Sequence, residues 1–381
     1  MSQALLVELA NAIATKLGET AGVAVVIDLP ERRVRVVEDG LMYEIYLGNA
    51  LDEYMRATPE ERPAIVERYA TVVDKGDIAP PTPDEWQRLL PKLVPRRERE
   101  MLRLRFDNVT NLTTGIALAD GLLLDLAIDL PERIRVVTAS DLASAGLSEA
   151  DAFETARRNL IGRSREPWTP IAPGLYQSPW GDYFDGARLA LPTVFQRIGV
   201  RGDPVVTIPN RCCVLVAGSE DQLALRLLYE ITRVMVDKER PLHPGGVRLV
   251  DGAWRALGEA DLDLVGLAPS LLFLSSLQEA LDYQSVGEDV RALIASHGYH
   301  VEPLQIMESQ GVRMTVTNVP RTSTKLVIPK ADLVTCGDGM FAWYKLDAML
   351  GKNLAPLDVW PAHYEVRRLP TLVEIAAAKM K

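Results

Sequence analysis

Asp182 and Asp185 are the two carboxylates of this chain best spaced for chemistry. They sit three apart in Pro179-Trp-Gly-Asp-Tyr-Phe-Asp-Gly-Ala-Arg188. Carboxylates this close could hold a cation or share the work of acid and base, with Arg188 as a third member. The same residue types have a plainer use. Asp182 would shape the Trp180-Gly181-Asp182 turn, and Asp185 would cap the helix that follows. The structural use is the one we expect. Trp180, Tyr183 and Phe184 add three aromatics beside the turn. Core packing is the first expectation for such rings, but a loop keeps at least one of three exposed, and exposed aromatics anchor interfaces.

The other candidates are weaker. His297 and His300 sit three apart at a helix end and could supply half a metal site, but no Cys or His lies near enough in sequence to supply the other half. His243 reads as a loop residue in Pro-Leu-His-Pro-Gly-Gly, and His363 follows a Trp-Pro-Ala turn. Cys212 and Cys213 are adjacent, point to opposite faces of a strand, and lack the basic surroundings that would activate a thiol. With Cys336 they make three cysteines in no framework spacing, which fits a reducing compartment. There is no Gly-x-Ser-x-Gly elbow, no Walker loop and no Gly-x-Gly-x-x-Gly after a strand, and Gly337-Asp-Gly339 is an isolated turn. No structural metal and no tightly bound cofactor are expected.

The acidic turn must be held by its neighbours. Val205–Ile208 and Cys213–Ala217 are short apolar runs joined by Pro209-Asn210-Arg211, which predicts a hairpin. A long helix follows, with Ser219 and Gln222 in capping-box spacing. Arg226, Glu230, Arg233 and Asp237 form one narrow polar stripe on it, and the remaining circumference is apolar, so the helix should be buried on most sides.

Upstream, Leu6, Leu9, Ile13 and Leu17 mark a first amphipathic helix. Strands are predicted over 23–28, 33–38 and 41–47, and near 115–119, 122–128 and 134–138. Ile27-Asp-Leu-Pro-Glu-Arg32 recurs letter for letter as Ile128-Asp-Leu-Pro-Glu-Arg133, and each copy runs into a basic and valine-rich strand. This reads as a repeated hairpin-then-helix unit with Asp-Leu-Pro-Glu as the turn. Thr82 with Glu85 and Ser148 with Asp151 are helix starts, and Asp251-Gly252 is a strong hairpin signal. A helical region broken near Gly287 is expected over 269–296, then alternating strands.

The fold class expected is therefore α+β: repeated helix and β-hairpin units with mainly antiparallel sheets backed by helices, plus a C-terminal α+β domain. The divisions are residues 1–78, 84–258 and 259–381, with the proline-rich stretch 78–83 as linker. A chain of 381 residues has length enough for two or three cores.

Net charge is −10, and the densest basic stretch, Pro95-Arg-Arg-Glu-Arg99, is interrupted by Glu98 and followed by Glu100. That argues against nucleic acid or an anionic membrane as partner. The N-terminus has no basic region ahead of its apolar residues, so no signal peptide is expected. The longest uncharged stretch, 264–278, is too short to span a bilayer. A cytoplasmic location follows as an expectation.

Residues 47–257 resemble the YtpQ-like family, bacterial proteins of unknown function. Pro91-Lys-Leu-Val-Pro-Arg-Arg97 is similar to the family's Pro-Val-Ile-Arg element, and 124–164 to its strand, acidic turn and helix. Gly181-Asp-Tyr-Phe-Asp-Gly-Ala-Arg188 resembles its Gly-Tyr-Asp-Ala-Ser-Arg motif, with spacing that differs by one residue. The resemblance implies a fold and no reaction, and the last 120 or so residues lie outside it.

Two functions are left. One is a non-catalytic adaptor or chaperone-like protein that binds another protein, with a homodimer admitted, through Trp180, Asp182, Tyr183, Phe184 and Asp185. The other is a cation-dependent, hydrolase-like enzyme using Asp182 and Asp185.

Overall fold

The computed structural model describes residues 2–19, 23–29, 32–38, 41–70, 80–105, 115–119, 121–130, 134–236, 241–257, 268–309, 312–321 and 325–378. The fold is mixed α and β, and antiparallel pairing dominates its sheets.

A seven-stranded sheet is built first. Val23–Asp28, Arg33–Glu38 and Leu41–Tyr46 form a meander, and Leu41–Tyr46 pairs on with Ile134–Val136, Leu122–Asp129 and Leu89–Pro95 in turn, Ile116–Ala119 lying on Leu122–Asp129 as well. Every pairing is antiparallel. The sheet is continuous across the proline-rich stretch 78–83, of which 78–79 lie outside the described residues.

The repeated hexapeptide takes up the same register twice. Asp28 pairs with Arg33 and Ile27 with Val34 in one copy; Asp129 pairs with Ile134 and Ile128 with Arg135 in the other. Arginine stands opposite Ile128 in the second copy where valine stands opposite Ile27 in the first, so the arginines of the two strands fall on opposite sides relative to the turn. Residues 30–31 and 131–133, at the tips of these hairpins, lie outside the described residues. The helix Ser2–Gly18 covers one face, with Leu6, Leu9, Ile13 and Leu17 packed on Val34, Val36 and Ile45.

A second, six-stranded antiparallel sheet runs in the order Ala253–Ala256, His243–Val250, Pro204–Asn210, Cys213–Gly218, Leu175–Gln177, Thr169–Ala172. The predicted 205–217 hairpin is its centre. One apolar cluster joins the two sheets, with Leu89, Leu93 and Leu126 beside Val206, Ile208 and Val216.

The helix Gln222–Val236 lies on the six-stranded sheet through Ala224, Leu225, Leu228 and Tyr229. It is amphipathic, not buried all round: Leu223 is 66% and Val234 54% exposed. Its cap also differs from expectation. Asp221 Oδ1 accepts from Ala224 N at 3.1 Å, while Ser219 Oγ accepts from Asp203 N at 2.9 Å and ties two strand ends together. Asp237, the last member of the expected polar stripe, lies outside the described residues.

The helix Ala268–Ser296 is continuous through Gly287, where a break was expected. Gly287 is buried, and a Cβ there would meet the Tyr283 ring at 3.0 Å, so the glycine serves close packing. Phe273 and Leu274 of this helix belong to the same core cluster as Val205, Leu225 and Leu228. Two four-stranded sheets follow, each with one parallel pairing: His300–Val301 on Leu326–Pro329, and Val312–Asn318 on Leu333–Cys336.

Candidate functional site

The acidic turn follows the Thr169–Ala172 and Leu175–Gln177 hairpin and leads into a short 3-10 helix, Gly186–Ala190. Arg188, wholly buried, turns its side chain back onto that turn. Its Nη1 and Nη2 donate to Asp182 Oδ1 and Oδ2, each at 2.9 Å, a bidentate pair. Nη2 also donates to the Arg163 carbonyl at 2.9 Å and Nε to Ser164 Oγ at 3.0 Å. The guanidinium lies 3.8 Å from the centre of the Trp180 ring. Trp180 in turn meets Trp168 edge-on at 5.3 Å and donates from Nε1 to Glu166 at 2.8 Å.

Asp182 and Asp185 complete the clamp. Asp182 Oδ1 accepts from Phe184 N at 3.0 Å, as an Asx turn does. Asp185 is fully buried; its Oδ1 accepts from Gly181 N at 3.2 Å and its Oδ2 from Asp182 N at 3.0 Å. It therefore locks the turn before it and makes no capping bond to the helix after it, contrary to the expected N-cap. Burial pushes the Asp182 carboxyl up, but the hydrogen bonds and charge of Arg188 win and hold it below the usual carboxylate range. Burial pushes Asp185 up and prevails there, although Ser178 and Gly181 hydrogen bonds oppose it.

This geometry speaks against acid–base or cation work at the pair. Both carboxylates already accept internal donors, and the arginine is committed to Asp182. Among the described residues no three His, Cys, Asp or Glu side chains are grouped to hold a metal ion. His300 bonds Glu302 at 2.7 Å and His297 the Leu293 carbonyl at 2.9 Å, so the two do not converge. The three cysteines form no disulfide.

The aromatics separate. Phe184 is 1% exposed and packs with Leu90, Leu160, Ala187 and Leu191, so it is core and not contact surface. Trp180 is half-buried between Arg188 and Trp168. Tyr183 is 48% exposed with φ +64°, a left-handed conformation that bulky residues avoid.

A second polar constellation was not foreseen. His243 begins a strand instead of sitting in a loop, and it is buried. It faces Gln278, Glu279 and Asp282 of the 268–296 helix across a pocket of about 150 Å³. Burial, then the charge of Arg97, lowers the imidazole pKa to about 4, against a weaker pull from the Gly246 backbone. Burial, then Asp332, raises Glu279 to about 7. Part of the Glu279 side chain stays exposed while its carboxyl end is crowded by protein. The available signal was Gln278, Glu279 and Asp282 at one-turn spacing after a long uncharged stretch; nothing local tied them to His243.

No family model matches the chain, and neither the curated proteins nor the solved structures give a match. No helix among the described residues is long and apolar enough to cross a membrane.

Proposed function

We propose that the protein is a non-catalytic adaptor that binds another polypeptide at the turn carrying Tyr183. One observation carries this reading: a large aromatic is held outward in left-handed backbone by a clamp of buried charges. Left-handed φ costs a non-glycine residue ~1–2 kcal/mol, and such strain gathers at functional positions. A rigid, exposed tyrosine loses little freedom on binding. The likeness of 181–188 to the YtpQ-like motif supports placing residues 47–257 with that family as part of the same proposal.

Tyr183→Gly tests it. Glycine accepts the backbone conformation but loosens the unfolded chain by ~0.5–1 kcal/mol. Stability should stay within ~1 kcal/mol of the parent or rise. A photo-crosslinking amino acid at 183 should capture a defined partner, and Tyr183→Gly should weaken that partner's affinity about thirtyfold, the loss of an anchor worth ~2 kcal/mol. No crosslink from position 183, or unchanged affinity in the glycine variant, refutes the assignment.

A further inference from the structure

The 268–296 helix meets the sheet of Gln305–Ser309, Val312–Asn318, Leu333–Cys336 and Gly339–Ala342 at a single buried hydroxyl that touches two carboxyls. Thr315 is fully buried, and its Oγ1 lies 2.9 Å from Glu279 Oε2 and 2.9 Å from Asp332 Oδ2. It also accepts from Asp332 N at 2.9 Å. Asp332 Oδ2 accepts in addition from Thr315 N at 2.7 Å and from Ser276 Oγ, on the helix, at 2.8 Å. A hydroxyl has one proton and two lone pairs. With both carboxyls ionised, one of its two contacts to them holds two oxygens with no proton between. With a proton on Glu279 every contact is satisfied. Glu279 donates to Thr315 Oγ1, Thr315 donates to Asp332 Oδ2, and Asp332 N donates to the remaining lone pair of Thr315.

We propose that a proton held among Glu279, Thr315 and Asp332 latches this sheet to the 268–296 helix, and that losing it loosens the joint, a pH-sensitive device built into the fold. The helix belongs to the central body, since its Phe273 and Leu274 share a core cluster with Val205, Leu225 and Leu228. The latch therefore joins that body to the C-terminal sheet. Glu279 is the carboxyl that keeps the proton. Asp332 Oδ2 faces three donors, one of them a backbone N–H, and these favour its ionised form. Among the described residues Thr315 is the one group bonded to the Glu279 carboxyl. Burial, then the charge of Asp332, raises Glu279 to about 7, in agreement with the proton count.

The charged and titratable groups around Glu279 leave it little help in ionising. Asp282 and Tyr283 stand on its own helix, and Asp332 and Lys330 lie ahead of the 333–336 strand. Lys330 is the one cation that lowers its pKa. Arg97 is committed to Asp282 at 3.2 Å, and His243, which lines the same pocket as Glu279, is held neutral. On the 312–318 strand Arg313 is turned to Glu308 and the Phe273 ring. The sign follows from these two states of the joint. Closed, it keeps the proton up to about pH 7; open to water, the carboxyl ionises at its ordinary value of about 4.5. The closed state thus holds the extra proton between those values, and closure weakens as pH rises through that window and levels off above it. The latch stands apart from the Tyr183 turn, which plays no part in its test.

Hydrogen exchange of the full chain from pH 5 to pH 8 tests it, read at the Thr315 and Asp332 amides, which both donate into the latch. Each rate is corrected for the intrinsic exchange of an unstructured amide at the same pH. Protection of the two amides should fall roughly fiftyfold to a hundredfold over this range, most of it below pH 7. Glu279→Gln places an amide N–H where the carboxyl proton stood, so it should keep the protection that the wild-type protein has at pH 5 and lose the pH dependence. The infrared difference between the wild-type protein and this variant should show a protonated carboxyl at pH 6 that is largely gone at pH 8. Protection indifferent to pH, a slope of the opposite sign, a slope that survives in Glu279→Gln, or no protonated carboxyl at pH 6 overturns the proposal. The first two of these outcomes need no variant to fold.

Discussion

Arg188→Met removes the charge at the centre of the acidic turn while keeping an unbranched apolar stem. The arginine is wholly buried and donates four hydrogen bonds, two of them to Asp182. Taking one partner from a buried ion pair costs ~3–5 kcal/mol. The Asp182 side chain is 30% exposed and can recover some hydration, so the low end applies, ~3 kcal/mol. The effect should appear first in the turn, before the whole chain unfolds. Hydrogen exchange read by mass spectrometry over residues 178–191 is the suitable assay. At ~1.4 kcal/mol per tenfold, amides of this segment should exchange about a hundredfold faster. Residues 204–218 in the neighbouring strands should change far less. A cycle with Asp182→Ala sharpens the test. The double variant should be less impaired than the sum of the singles by ~1.5 kcal/mol or more. Less than tenfold acceleration with additive singles would refute the clamp. It would also leave Asp182 and Asp185 available for the cation chemistry that the geometry speaks against.

Two further outcomes follow from buried groups elsewhere. His243 and His363 are both pushed to about 4 chiefly by burial, and Glu279 is raised to about 7. Between about pH 4.5 and 6.5 the unfolded chain therefore binds two histidine protons that the fold refuses, and the fold keeps one glutamate proton. For these three groups the balance is one extra proton on the unfolded side, so their contribution to stability should fall as pH drops through this window by ~1.4 kcal/mol per unit. Glu279→Gln removes the opposing group and should roughly double that slope. Urea midpoints at pH 5 and 6.5 measure it, and a protein that becomes more stable on acidification contradicts the assignment. Leu274→Ala empties a fully buried site shared with Leu225 and Leu228, at a cost of ~2–5 kcal/mol. If 259–381 is an independent unit, exchange in the 222–236 helix should not respond; faster exchange there would show that the long helix completes the central core.

Features set within a few residues were legible in the chain. The strands Val23–Asp28 and Arg33–Glu38 fall where alternation and turn residues put them. Thr82 with Glu85 forms its reciprocal capping box, and Ser148 Oγ accepts from Asp151 N at 3.1 Å. Asp251-Gly252 turns a hairpin with both residues at positive φ. Side chains with two plausible local partners were not legible. Asp185 could bond forward as a helix cap or backward to the turn, and the buried arginine behind it favours the backward choice. Ser219 could cap a helix or hold Asp203, and the pairing of Pro204 with Gly218 brings Asp203 into reach. Gly287 has the composition of a break, and only packing against Tyr283 reveals it as a contact. The pocket was least legible, since His243 and Gln278 meet through tertiary structure alone.

The densest basic stretch shows how composition and structure connect. Residues 95–99 read as a surface patch too diluted by glutamate to bind nucleic acid, and the structure turns most of it inward. Glu98 receives Arg33 at 2.7 Å, Arg35 at 2.9 Å and Arg211 at 2.9 Å; Arg99 meets Asp125 at 3.0 Å; Arg97 meets Asp282 at 3.2 Å. Three consecutive residues of one short helix, Arg96–Arg105, thus reach the seven-stranded sheet, the turn of the central hairpin and the long helix. Buried ion pairs add little net stability over apolar packing, but breaking one is costly, so such pairs act mainly to fix which elements meet. Glu98 lies between three guanidinium groups, and that requires the two sheets to stand in one relative position. Arg97 offsets Asp282 and, after burial, is the second cause that lowers the His243 pKa. Glu98, which interrupts the basic run in the sequence, is therefore what makes the stretch a junction.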